Sequence, residues 1–292
     1  MLKGAITAII TPFYKGRVDE DDLRSLLEFQ LANGVTGIVP CGTTGESATL
    51  NHHEHKRVVE ITIETVNKRV PVIAGAGSNN TAEAISLTQF AKDAGADAAL
   101  HITPYYNKPT QDGLFRHFEA IAQATHFPLV PYNIPGRSGV NILPDTMSRI
   151  ADIPEVIAVK EATGDLGQMA EAFRLCGDRM DLLSGDDGLL LPILAIGGKG
   201  IISVVSNLLP RAVADICSAW EQGQVAKARE LFYKLLPICK AMFVETNPIP
   251  IKTSMAHLGI IKSAEMRLPM CPLQPASWEK IKAVLTAYGL EG

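Results

Sequence analysis

The segment VIAVKEATGD (156–165) places a lysine at the end of an apolar, mostly β-branched run. Such a run is typical of a fully buried strand, where lysine is rarely found without a partner. Desolvation lowers the pKa of a buried amine because it disfavours the ammonium form. Lys160 is therefore a candidate Schiff-base nucleophile. The structural alternative is a lysine that pairs with Glu161 or with another inward-pointing acid.

Hydroxyl groups at strand ends supply the proton transfers that imine formation requires at the substrate oxygen. Tyr132 ends the predicted strand before that of Lys160, and Thr43 and Tyr106 follow two other predicted strands. Taken singly, each has a simpler interpretation, since a buried tyrosine usually only satisfies its own hydroxyl and a threonine is common in turns. As a group, they predict a proton relay around Lys160.

Two further features predict carboxylate binding. Gly42 and Gly45 allow close backbone approach, so the amides around Thr43 and Thr44 are candidates for a small anion nest. A tight strand-to-helix turn is the alternative there. Arg137, in a Gly-rich loop, has the planar fork that clamps a carboxylate, and the alternative is a solvated loop arginine. Together they suggest substrates that carry two carboxylates.

A metal site is not predicted. In LNHHEHKRV (50–58), Arg57 occupies the place of the second histidine of a zincin HExxH motif. His52 and His55 share one helical face and form a small polar site or are simply solvated. The two acids of SGDDG (184–188) lack further acids at ligand spacing, so a turn role is favoured.

Short apolar runs alternate with segments of helical periodicity, which predicts a parallel sheet with right-handed crossovers. Eight such units fit a (β/α)₈ TIM barrel, whose chemistry lies at the carboxyl ends of the strands. An open doubly wound sheet is the alternative, but GAGSNN (75–80) lacks the third glycine of a dinucleotide fingerprint. The predicted strands are 4–10, 36–41, 70–76, 97–103, 128–133, 156–161, 181–186 and 200–206.

Helices are predicted between and after these strands. One covers residues 19–34, and another covers 81–96 with Thr81 as its N-cap and Gly95 at its end. After about residue 223 the strand pattern stops, and three helical segments follow. We therefore expect a catalytic barrel over residues 1–223 and a C-terminal helical region over 224–292. The three segments are 225–243, about 249–258, and 275–289.

Composition excludes several classes of protein. The net charge is −4 and no dense Lys/Arg cluster occurs, so nucleic acid is not an expected partner. Five scattered cysteines without a CxxC pair indicate thiols in a reducing compartment. No apolar run approaches the ~20 residues that cross a bilayer, and the N-terminus lacks a signal pattern. We expect a cytoplasmic protein without membrane contact.

A series of motifs occurs in order over nearly the whole chain: AIITPF, GTTGESATL, TPYYNKPTQDGL, YNIPGRSG, KEATGD, LLSGDDG, NPIPIK and RLPMCPL. With these motifs the sequence resembles the dihydrodipicolinate synthases (4-hydroxy-tetrahydrodipicolinate synthases). They belong to the pyruvate-dependent class I aldolase family that also contains the N-acetylneuraminate lyases. Those lyases typically lack the arginine after YNIP and carry a Ser-Thr pair where this chain has Thr43-Thr44, so the resemblance favours the synthases.

The resemblance implies a lyase reaction through a covalent imine of pyruvate on Lys160, without metal or organic cofactor. The enamine derived from it attacks aspartate 4-semialdehyde in the first committed step of diaminopimelate and lysine biosynthesis. A homotetramer built as a dimer of dimers is implied, with a dimer as the alternative. The implied roles are proton relay for Tyr132, Thr43 and Tyr106, the last from a neighbouring subunit; pyruvate carboxylate binding for Thr44; semialdehyde carboxylate binding for Arg137; and pocket lining for Gly185 and Ile202.

The resemblance also implies feedback inhibition by L-lysine at the tight dimer interface. Glu83 is the expected partner of the effector's amine. Two other functions stay open at this point: a retro-aldol lyase acting on a 2-keto acid sugar, and a non-catalytic barrel that binds a keto acid. The residues that match the effector-binding pattern are Ser47, Ala48, His52, His55, Asn79, Glu83 and Tyr105.

Overall fold

The computed structural model describes residues 2–291, and within them eight parallel strands form one sheet. The order is β4-β1-β10-β9-β8-β7-β6-β5, and a separate antiparallel hairpin joins β2 and β3. The predicted TIM barrel is confirmed, and every predicted strand segment contains one strand of the sheet. The strands are β1 (Gly4–Ala8), β2 (Phe13–Tyr14), β3 (Arg17–Val18), β4 (Gly37–Val39), β5 (Ile73–Gly75), β6 (Ala98–Ile102), β7 (Leu129–Asn133), β8 (Ala158–Glu161), β9 (Asp181–Ser184) and β10 (Gly200–Ser203).

Helices follow the strands of the sheet, and the last of them ends at Tyr288. No helix described within residues 2–291 is both long and apolar enough to cross a bilayer. The helices are α1 (Glu20–Ala32), α2 (His52–Val66), α3 (Thr81–Ala94), α4 (Gln111–Thr125), α5 (Pro135–Ser138), α6 (Pro144–Ile150), α7 (Leu166–Cys176), α8 (Leu190–Ala195), α9 (Pro210–Glu221), α10 (Val225–Ala241), α11 (Ile249–His257) and α12 (Pro275–Tyr288).

The strands of the sheet are buried on both faces. Every residue of β4, β7, β8 and β10 is buried, whereas a strand with one solvated face would alternate. Continuous burial explains why the strands are recognisable as apolar runs in the sequence. Because burial is continuous, a polar residue within such a run lies in the interior of the protein.

Helix ends follow the capping chemistry that the sequence indicates, with one correction. Asp19 caps α1 by accepting a hydrogen bond from the backbone of Asp22. Thr81 was predicted to cap α3, but the N-cap is Asn80, whose side chain accepts from the backbone N of Ala82. Thr81 is instead the first helical residue, and its Oγ1 lies 2.9 Å from Nδ1 of His117.

The chain divides into two compact units. One comprises residues 71–202 together with the N-terminal residues up to Gly4, and the other comprises residues 5–70 and 203–292. The first unit contains β5–β9 and nearly all of β10, and the second contains the hairpin, β4, most of β1 and the C-terminal helices. The predicted boundary near residue 223, between a barrel and a helical region, stays a prediction.

A buried ion pair lies inside the second unit. The Lys252 side chain is 0% exposed, and its Nζ donates to Glu46 Oε1 at 2.7 Å. The same Nζ donates to the backbone oxygens of Thr11 and Glu265, and it lies 4.4 Å from the ring centroid of Phe13. Three acceptors thus match the three ammonium hydrogens. Glu46 has φ of 52°, a left-handed conformation that non-glycine residues keep only where their surroundings impose it.

Replacing Lys252 by methionine should destabilise the protein by about 3–5 kcal/mol, because the Glu46 carboxylate would stay buried without its cation. The free energy of unfolding from urea denaturation measures the effect. Lys282→Met is the matched control, since Lys282 pairs with Glu279 at a largely exposed site, and a loss below about 1 kcal/mol is expected there. Equal losses of unfolding free energy in the two variants would show that the buried pair contributes no more to stability than the exposed pair.

Candidate active site

Lys160 and Tyr132 are neighbours across β8 and β7. They are register partners in the parallel pairing of these strands, and both side chains are buried. The Nζ of Lys160 lies 4.0 Å from the centroid of the Tyr132 ring. The amine and the phenol-bearing ring therefore meet at the carboxyl ends of two adjacent strands, where barrels of this type carry their chemistry.

Burial determines the protonation state of this amine. The pKa of Lys160 is lowered to about 7, chiefly by burial, while the charge of Asp187 acts to raise it and the charge of Arg137 acts to lower it. A substantial fraction of the amine is therefore neutral near pH 7, as a nucleophile requires. The effect of Asp187 was not predicted from the sequence, because nothing in SGDDG distinguishes this buried carboxylate from its neighbour Asp186, which forms a turn by accepting from Gly188 N.

Glu161 does not pair with Lys160, in contrast to the structural alternative considered for this lysine. Its Oε1 accepts from the backbone N of Thr163 at 2.9 Å, and its Oε2 accepts from Nδ2 of Asn133 at 3.1 Å. Successive residues of a strand point to opposite faces, so the carboxylate and the amine lie on different sides of β8. Lys160 thus keeps its amine away from the nearest acid in the sequence.

Gly185 lies directly against Lys160. A Cβ at Gly185 would be 2.8 Å from Ala162 Cβ, closer than real side chains approach, and 3.0 Å from Lys160 Cε, a very tight contact. The backbone N of Gly185 also donates to the carbonyl of Glu161 at 2.7 Å. Glycine is required here so that the strand end can approach the lysine. Ile202, the other predicted lining residue, is fully buried on β10.

Arg137 lies on α5, the four-residue helix that follows β7. The residue is exposed, and its positive charge acts on the pKa of Lys160. The helix ends at Ser138, and its C-cap Gly139 has φ of 74°, the left-handed conformation common after a helix end. Lys160, Tyr132, Gly185 and Arg137 all lie in the first unit, and the roles predicted for them stay predictions.

The GTTGE loop (residues 42–46) belongs to the second unit. Thr44 is buried, and its Oγ1 accepts a hydrogen bond from Nδ2 of Asn247 at 2.9 Å. The carbonyl of Gly45 accepts from Oγ1 of Thr11 at 2.7 Å. Thr43 is half-buried. Asn247 was not singled out from the sequence, because it is 203 positions from Thr44 and only the fold pairs them.

Three of the predicted effector residues lie in the first unit. Nδ2 of Asn79 donates to the carbonyl of Tyr105 at 3.1 Å, and Glu83 accepts a short hydrogen bond from the hydroxyl of Ser78. Tyr106, which directly follows Tyr105 in the chain, is 88% exposed and has φ of 72°. The single chain thus leaves this predicted relay residue at its surface.

The other predicted effector residues lie in the second unit. Ser47 and Ala48 form a 3₁₀ turn, and His52 and His55 lie in the first turn of α2. Arg57, at the position that excludes a zincin motif, is paired with Glu20 through two hydrogen bonds of 3.0 and 2.7 Å. No group of three or more His, Cys, Asp or Glu residues is arranged to hold a metal in the described part of the chain.

Comparison with known proteins places the chain among its relatives. The model of the family described as "Dihydrodipicolinate synthetase family" matches residues 1–288. The chain belongs to the dihydrodipicolinate synthetase family. A curated member from Syntrophobacter fumaroxidans, named 4-hydroxy-tetrahydrodipicolinate synthase, is 56% identical over 290 residues, which are 99% of this chain and 100% of the relative.

Solved structures of family members have the same fold. The chloride-inhibited dihydrodipicolinate synthase of Acinetobacter baumannii, complexed with pyruvate, gives a TM-score of 0.97 at 42% identity and covers 99% of this chain and 100% of its own. The lysine-bound enzyme of Cyanidioschyzon merolae gives 0.95 at 37% identity, with 99% and 98% covered. The resemblance inferred from the motifs is confirmed.

Lys160→Met should stabilise the folded chain more at pH 7 than at pH 10. The pKa of Lys160 is about 7 in the folded protein against an ordinary value of 10.5. The unfolded chain therefore takes up the proton at a higher pH than the folded chain, and the free energy of unfolding falls as the pH drops from 10.5 towards 7. Methionine removes this penalty, and its advantage should grow by about 2–4 kcal/mol between the two pH values.

Urea denaturation at both pH values measures this difference. Lys199→Met, at an exposed lysine, is the control and should show nearly the same change in unfolding free energy at pH 7 and pH 10. An advantage of Lys160→Met that does not depend on pH would contradict the lowered pKa.

Proposed function

We propose that this protein catalyses the condensation of pyruvate with L-aspartate 4-semialdehyde to give 4-hydroxy-tetrahydrodipicolinate, the first committed step of diaminopimelate and lysine biosynthesis. The observation that carries the proposal is Lys160, a buried amine whose pKa is lowered to about 7, beside Tyr132 in a member of this family. The pyruvate complex of the Acinetobacter baumannii relative supports pyruvate as the first substrate.

The first half of the reaction forms a covalent intermediate. The neutral amine of Lys160 attacks the keto carbon of pyruvate, water leaves, and an imine results. Each stage moves a proton to or from the substrate oxygen, and we assign this transfer to Tyr132, Thr43 and Tyr106. Loss of a methyl proton then converts the imine to an enamine. No metal or organic cofactor is needed, because the protonated imine is itself the electron sink.

The second half joins the two substrates. The enamine carbon attacks the aldehyde carbon of the semialdehyde, and the amino group of that substrate displaces Lys160 by transimination, closing the ring. We assign the pyruvate carboxylate to Thr44 and the nearby amides, and the semialdehyde carboxylate to Arg137. The backbones of Gly185 and Ile202 line the pocket in this assignment.

Arg137 and the Thr43-Thr44 pair favour a synthase over a retro-aldol lyase. A lyase that cleaves a 2-keto acid sugar has no second substrate with a carboxylate to clamp, so an arginine fork beside the lysine serves the synthase better. The Syntrophobacter fumaroxidans relative, with its synthase name and 56% identity, supports the same choice.

Oligomerisation and regulation belong to the same proposal. Tyr106 is 88% exposed in the single chain, and we propose that it acts in a neighbouring subunit of a homotetramer built as a dimer of dimers. We propose L-lysine as the inhibitor, with the lysine-bound Cyanidioschyzon merolae relative in support. Glu83, on the first turn of α3, is the carboxylate suited to the effector's amine. Asn79, which donates to the carbonyl of Tyr105, directly precedes Asn80, the N-cap of the same helix.

Borohydride reduction after incubation with pyruvate should add a reduced pyruvate adduct to Lys160, located by peptide mass spectrometry. Lys160→Arg should give a folded protein without adduct or turnover, since arginine keeps the charge but is not a nucleophile. Lys262→Arg, at an exposed lysine paired with Asp19, is the control and should retain both. An unmodified Lys160 in active protein would contradict the imine mechanism.

A comparison of substrates separates synthase from lyase. A synthase turns over pyruvate with the semialdehyde, whereas a lyase cleaves N-acetylneuraminate or ketodeoxygluconate.

Glu83→Gln should raise the L-lysine concentration needed for half-maximal inhibition by about tenfold, the effect of one lost charge-assisted hydrogen bond. Initial rates at subsaturating pyruvate measure it. Glu119→Gln, on α4, is the control and should leave the inhibition curve in place. If L-lysine does not slow the wild-type protein under these conditions, the effector assignment is wrong while the catalytic assignment is untouched.

A further inference from the structure

A second pair of residues lies behind Lys160 and Tyr132. Asn133 and Glu161 are the next residues along β7 and β8, and they are register partners as well. Because side chains alternate between the two faces of a strand, this pair faces away from the reacting pair. Both residues are buried, and Nδ2 of Asn133 donates to Oε2 of Glu161 at 3.1 Å. The proposed chemistry uses neither of them directly.

The Glu161 carboxylate accepts hydrogen bonds on both of its oxygens. Oε2 accepts from Asn133, and Oε1 accepts from the backbone N of Thr163 at 2.9 Å. Burial raises the pKa of Glu161, and these hydrogen bonds oppose the rise. A group with two acceptor atoms is therefore needed at this position, and a carboxylate provides it.

Asn133 extends the contact to a loop. Its Nδ2 also lies 3.2 Å from the carbonyl of Ile142 and 2.9 Å from Oδ1 of Asn141, and its Oδ1 accepts from the backbone N of Ile142 at 3.0 Å. Asn141 exchanges two side-chain hydrogen bonds with Gln168 of α7, at 2.7 and 3.0 Å. Its carbonyl accepts from Nε2 of Gln111 at 2.8 Å.

The segment held in this way is the Arg137 loop (residues 134–142). It leaves β7 directly after Asn133, passes through α5, turns at Gly139 and returns to the side chain of the same asparagine at Ile142. A helix of four residues has almost no stability of its own. Attachment of both loop ends to Asn133 therefore fixes where α5, and with it the Arg137 backbone, lies relative to the end of β8.

We propose that Asn133 and Glu161 are positioning residues for Arg137, and that they thereby set the affinity of the site for the carboxylate of the aldehyde substrate. The inference rests on the proposed function, since it uses the role assigned to Arg137 there. It goes further by identifying the buried pair on the opposite face of β7 and β8 as the determinant of second-substrate binding. A merely structural pair would affect stability or the amount of active protein without distinguishing between the two substrates.

Glu161→Gln tests the proposal by removing one acceptor oxygen and the ionisable carboxyl while keeping the size of the side chain. Glutamine has nearly the same shape but one acceptor oxygen, so it cannot serve Asn133 and Thr163 at two oxygens. We expect the KM for L-aspartate 4-semialdehyde to rise about fivefold to tenfold, the effect of one lost hydrogen bond. The KM for pyruvate and the pyruvate adduct on Lys160 should stay within about twofold of wild type, since the reacting face is intact.

Two matched variants accompany this measurement. Glu171→Gln, on an exposed part of α7 where Glu171 pairs with Arg174, is the control and should change neither KM. Asn141→Ala cuts the network at its half-buried edge, where folding is less at risk than at a fully buried position. It should raise the KM for the semialdehyde selectively, by about twofold to fourfold.

A double-mutant cycle with Arg137→Ala shows whether the pair acts through the arginine. In the Arg137→Ala background, Glu161→Gln should add less than about twofold to the KM for the semialdehyde, since the positioned group is already gone. Full additivity, a parallel rise in both KM values, or a fall in kcat alone would overturn the inference. If Arg137→Ala leaves the semialdehyde KM unchanged, the inference fails together with the role of Arg137, while borohydride trapping on Lys160 still decides the proposed function separately.

Discussion

Burial of one amine is the constraint on which the rest of this site depends. An ammonium ion in a packed strand end is unfavourable, and the same desolvation favours the neutral amine that a Schiff-base nucleophile needs. The fold meets this constraint by packing Lys160 against uncharged groups, the face of Tyr132 at 4.0 Å and the backbone of Gly185, and the charge of Asp187 offsets only part of the desolvation. The nearest acid in the sequence, Glu161, is engaged on the other face of the strand.

Strand alternation gives the two faces of β7 and β8 different tasks. Tyr132 and Lys160 occupy one face, and Asn133 and Glu161 occupy the other, in the same register. One pair of strand ends can therefore carry the proposed reacting groups and at the same time hold the Arg137 loop, for which we propose substrate binding. A parallel sheet buried on both faces makes this arrangement available, because neither face of the strand end is left to solvent.

Much of the fold was predictable because burial leaves a direct record in the sequence. Strands buried on both faces appear as continuous apolar runs, and all eight were identified in this way. Local ambiguities accounted for the errors. Asn80 and Thr81 are both good N-cap residues; in the structure the Asn80 side chain accepts from Ala82 N, whereas Thr81 contacts His117, 36 positions away. The hairpin of β2 and β3 has two residues per strand, too few for a period-two pattern to emerge.

The residues of the candidate site likewise differ in how far the sequence could identify them. Lys160 was identifiable because a charge within an apolar run conflicts with its surroundings, and such conflicts mark functional positions. Residues that act by hydrogen bonding over long sequence distances leave no comparable mark. Asn247 reaches Thr44 across 203 positions, and nothing local to either residue encodes the bond. Sequence therefore reveals where polar groups are buried, whereas the three-dimensional fold is needed to show which partner each one has and which loop that partnership holds in place.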